Sequence, residues 1–258
     1  HLVERELVVR SRDARFPGEV AYAFRHGLVR EAAYATLTDE DRTRGHRLAG
    51  AWLERAGERD AATLAEHHAR GGERSRAGVC FARAARAALE GNDLPAVLSF
   101  AGRALDCDVS REVRGEALAL QAEAHLWRSE VDAGCRCAAE ALDMLPRASA
   151  TWCRTANALA SHAAYRGDVA RVTAIYEAAR ALDPAVAPGP HAELVCNLVA
   201  ILATAGFYDA ASALLRGLDA AESDVARDAW RAHAGIFLAR SAEADPWAHL
   251  VRARAAAT

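Results

Sequence analysis

TWCRTANALASHAAYRGDVARVTAIYEAARALDP, residues 151–184, is the stretch that decides the fold. Trp152, Ala156, Leu159, Ala160 and Ala163 recur at i, i+4, i+7, i+8 and i+11, one apolar stripe of a helix. Gly167 breaks that helix. Asp168 follows, with a carboxylate able to accept a backbone N–H of the next first turn. The second half sets Val169, Val172, Ile175, Tyr176, Ala179 and Leu182 on one side, and all six are expected to be buried. Asp183-Pro184 ends it, because a proline ring excludes helical geometry at the residue before it. Two amphipathic helices joined by a tight turn cannot cover their own outer faces, so they need neighbours of the same kind.

Working outward, an aspartate stands at each expected turn: Asp93, Asp132, Asp168, Asp209 and Asp245, spaced 39, 36, 41 and 36 residues apart. Second helices are expected to begin after each of them. First helices are expected over Ala77–Glu90, Val113–Trp127, Thr151–Tyr165, Ala192–Ala205 and Ala226–Ala239. Asp93-Leu94-Pro95 and Asp245-Pro246 add proline in the first turn, a helix-start signal. Val186-Ala187-Pro188-Gly189-Pro190 reads as the longest loop.

The pattern resembles the tetratricopeptide repeat family in Gly167, Tyr176, Ala179, Leu182, Asp183 and Pro184, and again in Gly206, Asp209, Ala211 and Leu218. The match is degenerate, and the spacing exceeds the family period of about 34 residues. The resemblance implies an all-α, TPR-like superhelix of helical hairpins, a solenoid, over residues 39–258. First helices would line its concave side.

Residues 1–38 do not follow the repeat. His1–Leu7 reads as the end of a helix. Leu7-Val8-Val9 opens a β-prone run, Phe16-Pro17-Gly18-Glu19 is a turn, and Val20, Tyr22 and Phe24 alternate with smaller residues. The expectation is one β-hairpin over residues 7–26, followed by a helix from Leu28 to Leu37. Thr38 or Asp39 then caps a helix through Ala56 that buries Leu48, Trp52 and Leu53, and Gly57 ends it. A short helix from Ala61 to Ala69 carries His67-His68 before Gly71-Gly72.

Helix, hairpin, helix fits the wing of a winged-helix segment. Tyr22-Ala23-Phe24-Arg25-His26-Gly27-Leu28-Val29-Arg30-Glu31-Ala32-Ala33-Tyr34 resembles a signature of large bacterial signalling proteins, with Gly27 departing from the usual Ala. Thr38-Asp39-Glu40-Asp41-Arg42 and His46-Arg47-Leu48-Ala49 extend the likeness. In that class a STAND-type P-loop ATPase, often fused to a Ser/Thr kinase, leads through a winged-helix segment into TPR-like repeats. The resemblance implies a parent chain with upstream domains, and the start at His1 without Met points the same way.

Composition narrows the chemistry. The chain has 258 residues, 52% of them hydrophobic, enough for a sizeable core. A net charge of −3 argues against bulk attraction to nucleic acid or membrane. No lysine occurs, which excludes a Walker A loop, a kinase strand lysine and a Schiff base. The six cysteines form no C-x-x-C pair and read as small buried residues of a reducing cytoplasm. No apolar run is long enough to span a bilayer. His67-His68 are adjacent, so they diverge on a helix and cannot hold one metal. No nucleophile–base or metal-ligand spacing is present. The expectation is a chain that is not an enzyme and has no cofactor.

What remains is a surface. Arg154, Asn157 and Ser161 share the groove-facing side of the first helix at 151–165, with Arg86, Glu116, Glu123, Glu193 and Asn197 as the equivalents in other repeats. This mixed polar groove suits a peptide or a partner protein. The function expected is a non-catalytic interaction or sensor scaffold within a larger bacterial signalling protein. The alternative is a DNA-contacting regulator that sets Arg10, Arg12, Arg15 and Arg25 of the hairpin against phosphates. The last hairpin looks uncapped: Trp247, Leu250 and Val251 lie near one side with only Arg252 and Arg254 as nearby charges. That end is expected either to pair with a second copy, giving a homodimer, or to fray.

Overall fold

A computed structural model describes residues 2–11, 14–183 and 187–219. In chain order these form β1 (Val8–Arg10), β2 (Tyr22–Phe24), α1 (Gly27–Ala35), α2 (Asp39–Ala56), α3 (Ala61–Arg70), α4 (Arg74–Glu90), α5 (Leu94–Leu105), α6 (Arg111–Trp127), α7 (Val131–Met144), α8 (Ala150–Tyr165), α9 (Val169–Arg180), α10 (Pro188–Thr204) and α11 (Tyr208–Asp219). The described residues are thus eleven packed helices and one small antiparallel hairpin, an arrangement consistent with a helical repeat. Two compact units result, His1–Gly91 with Ser99–Val109, and Asn92–Leu98 with Ser110–Thr258. The expected helix at 226–239, the Asp245 turn and the Trp247 face lie outside the described residues.

In the first unit, β1 and β2 pair with Val8 opposite Phe24, Val9 opposite Ala23 and Arg10 opposite Tyr22. The hairpin is where the alternation places it, but Val20 stays outside the strand and the preceding residues are not helical. Glu6 takes a left-handed φ of 57°, and Leu7 N–H closes a turn on the Leu2 carbonyl. Phe16 at the hairpin tip meets Trp52 edge-on at 5.2 Å, and Arg15 pairs with Glu58 at 2.7 Å. Thr38 caps α2 by accepting from Asp41 N–H, and Gly57 ends it at φ 85°.

Contrary to expectation, Leu48 and Trp52 are 62% and 39% exposed. The reason is the face that α2 turns inward. Gly50 is buried against α3, so closely that a Cβ there would lie 3.2 Å from the His68 ring. The missing side chain lets the backbone approach, and the leucine–tryptophan side is left outward. Further along, α3 packs on α4 around Leu64, Ala65, Ala77 and Ala85. Phe81 of α4 is 1% exposed, lies 6.3 Å from Phe100 of α5, and is covered by the Arg103 guanidinium at 4.0 Å. Its burial is worth about 1.5–3 kcal/mol.

In the second unit, first helices pack on first helices, α6 on α8 and α8 on α10, while α7 and α9 each pack on the following first helix. Trp152, Ala156, Leu159, Ala160 and Ala163 are all buried, as the stripe predicts. On α9, Val172, Ile175 and Ala179 are buried, but Val169 is 64% exposed. It is the first residue after the Asp168 cap, and the buried face begins one turn later. α10 starts at Pro188, four residues ahead of expectation. Proline fits a first helical turn because the N–H it lacks would have no helical partner there.

The turn aspartates are not equivalent. Asp93 and Asp168 accept from Ala96 and Arg171 N–H, whereas Asp132 and Asp209 lie inside the first turns of α7 and α11. The recurring element is instead a left-handed residue one position before the cap: Asn92, Ser129, Gly167 and Gly206, at φ 56°, 62°, 72° and 87°. They are 37, 38 and 39 residues apart, more regular than the aspartates. After Ser129, Gly167 and Gly206 the next N–H reaches back to the carbonyl five residues earlier, His125, Ala163 and Leu202. This closure satisfies carbonyls that a helix end leaves open. A second mark recurs 37 residues apart: Arg74 and Arg111, first residues of α4 and α6, donate to the Asp106 and Asp143 carbonyls. Gly78 and Gly115, one turn on, take the same contact with the chain beyond the following second helix.

Candidate functional site

Asn157 and Ser161 are one turn apart on α8, and Glu193 and Asn197 one turn apart on α10. Because α8 and α10 pack side by side, the four meet. Asn157 Nδ2 donates to Glu193 Oε1 at 3.1 Å. Asn197 Nδ2 donates to Asn157 Oδ1 at 2.7 Å and to Ser161 Oγ at 2.8 Å. Ser161 Oγ donates in turn to the Asn157 carbonyl. Asn157, Glu193 and Asn197 are half-buried above a floor of Ala156, Ala160, Leu194 and Leu198.

Arg154 sits one turn before Asn157, exposed, with no ion-pair partner among the described residues. Glu116, half-buried, and Glu123, exposed, lie two turns apart on α6, which packs on α8. Arg86 is half-buried on α4 in the first unit. Four of the eight residues expected on the groove are therefore hydrogen-bonded into one chain. Such amides and hydroxyls, with an arginine beside them, can donate to and accept from an extended peptide backbone. No proton-transfer pair stands among them.

A cleft of about 610 Å³ opens between α7, α8 and α9. Arg136, Arg166 and Arg171 face Asp132, Glu140 and Asp168 across it, with Cys135 on the wall. Arg166 pairs with Asp132, and that hydrogen bond holds the Asp132 carboxyl below its usual range. Arg171 pairs with its own helix cap, Asp168, at 3.2 Å. The charges balance, so the cleft has no sign to attract an ion.

Of the hairpin arginines, Arg15 is taken by Glu58 and Arg25 by Glu6, Arg10 is exposed, and Arg12 lies outside the described residues. The cysteines are free thiols. Burial pushes Cys153 up to about 11. Among the described residues no group of three or more His, Cys, Asp or Glu is placed to hold a metal ion. Among them, too, no helix is long and apolar enough to cross a membrane.

Two histidine clusters escaped the sequence reading. His68 is 0% exposed, with Nδ1 2.8 Å from Glu73 and Nε2 3.0 Å from Glu54, while Arg76 reaches both carboxylates. His67 turns the other way, as adjacency requires, and meets His46 at 3.2 Å between the two Nδ1 atoms. A signal for the first was present: His125 and Glu130 repeat the five-residue spacing of His68 and Glu73, with a 2.6 Å contact. Set beside known proteins, the chain matches no family model and no curated protein.

Proposed function

We propose that this chain is a non-catalytic interaction scaffold that binds an extended peptide, or an extended segment of a partner protein, along the first helices of its second unit. The observation that carries this reading is the hydrogen-bonded chain Glu193–Asn157–Asn197–Ser161. It crosses from one first helix to the next and leaves Asn197 Oδ1 and the exposed Arg154 guanidinium beside it. Glu116 and Glu123 on α6 would extend the polar lining toward a basic or neutral sequence. On this reading the hairpins continue as a TPR-like superhelix with the ladder on its concave side. The fragment would serve a larger cytoplasmic signalling protein of the STAND ATPase or Ser/Thr kinase-linked kind, with kinase or ATPase domains elsewhere in the parent. The DNA-contacting alternative has less behind it, since two of its four arginines are engaged by Glu58 and Glu6.

The test is selection of binders from a random peptide library on the purified chain, then titration of a selected peptide against variants. Arg154→Glu and Asn197→Ala should weaken binding several-fold while Arg154→Glu leaves the melting temperature unchanged. Selection of no peptide, or peptides indifferent to both substitutions, would refute the groove. Binding to duplex DNA that weakens steeply with salt would favour the hairpin instead.

A further inference from the structure

His46 of α2 and His67 of α3 face each other, with their Nδ1 atoms 3.2 Å apart and their ring centroids 5.1 Å apart. Two imidazole nitrogens that share one tetrahedral zinc, each at about 2.0–2.1 Å, stand about 3.3 Å from one another, and their ring centroids about 5.2 Å. Both separations fit a common ion if each ring moves by about 0.1 Å. A straight N–H···N contact of the same length would hold the centroids farther apart, at about 5.5 Å, so the rings are inclined to the line between their nitrogens. The outer nitrogen of His46 has a partner as well: Tyr34 Oη of α1 lies 2.9 Å from Nε2. A metal-bound imidazole donates its other N–H to an acceptor that fixes the ring, and the phenol oxygen can accept it. Both histidines are half-buried, so water and ions reach the pair.

We propose that His46 and His67 form a two-histidine site for an exchangeable zinc ion, bound through both Nδ1 atoms and linking α2 to α3. Imidazole ligands select zinc, nickel or copper over magnesium and calcium. Hydrogens balance without loss of a proton. In the metal-free pair one hydrogen lies between the two Nδ1 atoms; when the ion takes its place, that hydrogen moves to Nε2 of the same ring. Both rings then carry N–H on Nε2, and that of His46 donates to Tyr34 Oη. Burial, ahead of the neighbouring charges, holds both imidazoles below their usual 6.5, so each is neutral, the form a metal needs, at neutral pH. Two protein ligands leave two tetrahedral positions to water. The surrounding charge is mixed: Arg70 and His68 of α3 lie near the pair, Arg42 of α2 stands over Tyr34, and Glu66 of α3 acts on both rings while engaged by Arg103 of α5 and Arg70. Few ligands and little net negative charge make the ion exchangeable rather than permanent.

Titration of the chelator-stripped full chain with zinc chloride at pH 7.5 tests the site, read by long-range proton–nitrogen spectra of the imidazoles and by competition with a zinc indicator. The Nδ1 signals of His46 and His67 should shift together and saturate together, while Nε2 of both rings keeps its hydrogen. His46→Asn and His67→Asn should each weaken that binding at least tenfold, and His26→Asn, on the exposed start of α1, should leave it unchanged. Magnesium chloride should move neither ring. Zinc that shifts only one of the two rings or neither, or zinc affinity undiminished in both single variants, would overturn the proposal. The spectra of the unmodified chain decide the matter even if a variant fails to fold.

Discussion

Replacing His68 by alanine probes an imidazole that is wholly enclosed. The ring is 0% exposed, and its nitrogens lie 2.8 and 3.0 Å from the carboxylates of Glu73 and Glu54. Those acids come from the start of α4 and from α2, so the contact joins three successive helices. Alanine removes two hydrogen bonds to charged groups, each worth about 1.5–3 kcal/mol. It also leaves a void under Gly50 and two carboxylates with only Arg76 between them. A loss of about 2–3 kcal/mol is expected: the imidazole is enclosed, but Glu73 and Glu54 keep 24% and 38% of their side chains exposed, so water makes up part of what they lose. The internal control is His125→Ala. His125 makes the same contact to Glu130 across the same backbone turn, but its side chain is 21% exposed and the acid 40% exposed. Water can replace that bond, so the expected cost is small beside that of His68→Ala. Urea unfolding followed by far-ultraviolet circular dichroism measures both, and a cycle with Glu73→Gln isolates the pair. If His125→Ala cost as much as His68→Ala, or if His68→Ala cost under about 1 kcal/mol, burial would not be what makes this contact matter.

Other outcomes follow from the same geometry. Gly78→Ala should destabilise strongly, by about 2 kcal/mol or more, because its Cβ would lie 2.2 Å from Val109 Cγ1 and 2.7 Å from Cys107 Cβ; an unchanged melting temperature would contradict the packing. Gly167 has open space around it and fails only on its φ of 72°, so Gly167→Asn should cost less than Gly167→Val in thermal unfolding, as Asn92 already occupies the equivalent position. Thiol labelling at pH 8 read by mass spectrometry should leave Cys80, Cys153 and Cys196 unmodified in the native chain while Cys107, Cys135 and Cys137 react slowly. Fast labelling of Cys153 would show that α8 opens. Asp132→Asn should leave the melting temperature nearly unchanged, since both it and Arg166 are at least half exposed and water screens the pair.

Among the described residues from Gly27 onward, the sequence by itself determined which segments are helices and which of their faces are apolar. Both depend on residues three and four apart along one helix. That is why Trp152 through Ala163 lie buried as read, and why Asn157, Ser161, Glu193 and Asn197 share a side. Gly57 as a helix stop and Thr38 and Asp168 as caps were equally local. The repeat register was not. Asn92, Ser129, Gly167 and Gly206 share a left-handed backbone rather than a side chain, so the aspartates nearby marked the turns only to within three residues.

Only the tertiary structure decided which apolar faces find a neighbour. Leu48 and Trp52 have the right spacing to be buried, yet α2 turns Gly50 to α3 because a close approach there is sterically free. Only the tertiary structure, too, brought Glu54, His68 and Glu73 together, and Tyr34, His46 and His67. Each cluster draws its members from helices separated by turns. A helical period fixes direction around one axis and carries no information about which residue of another helix stands opposite.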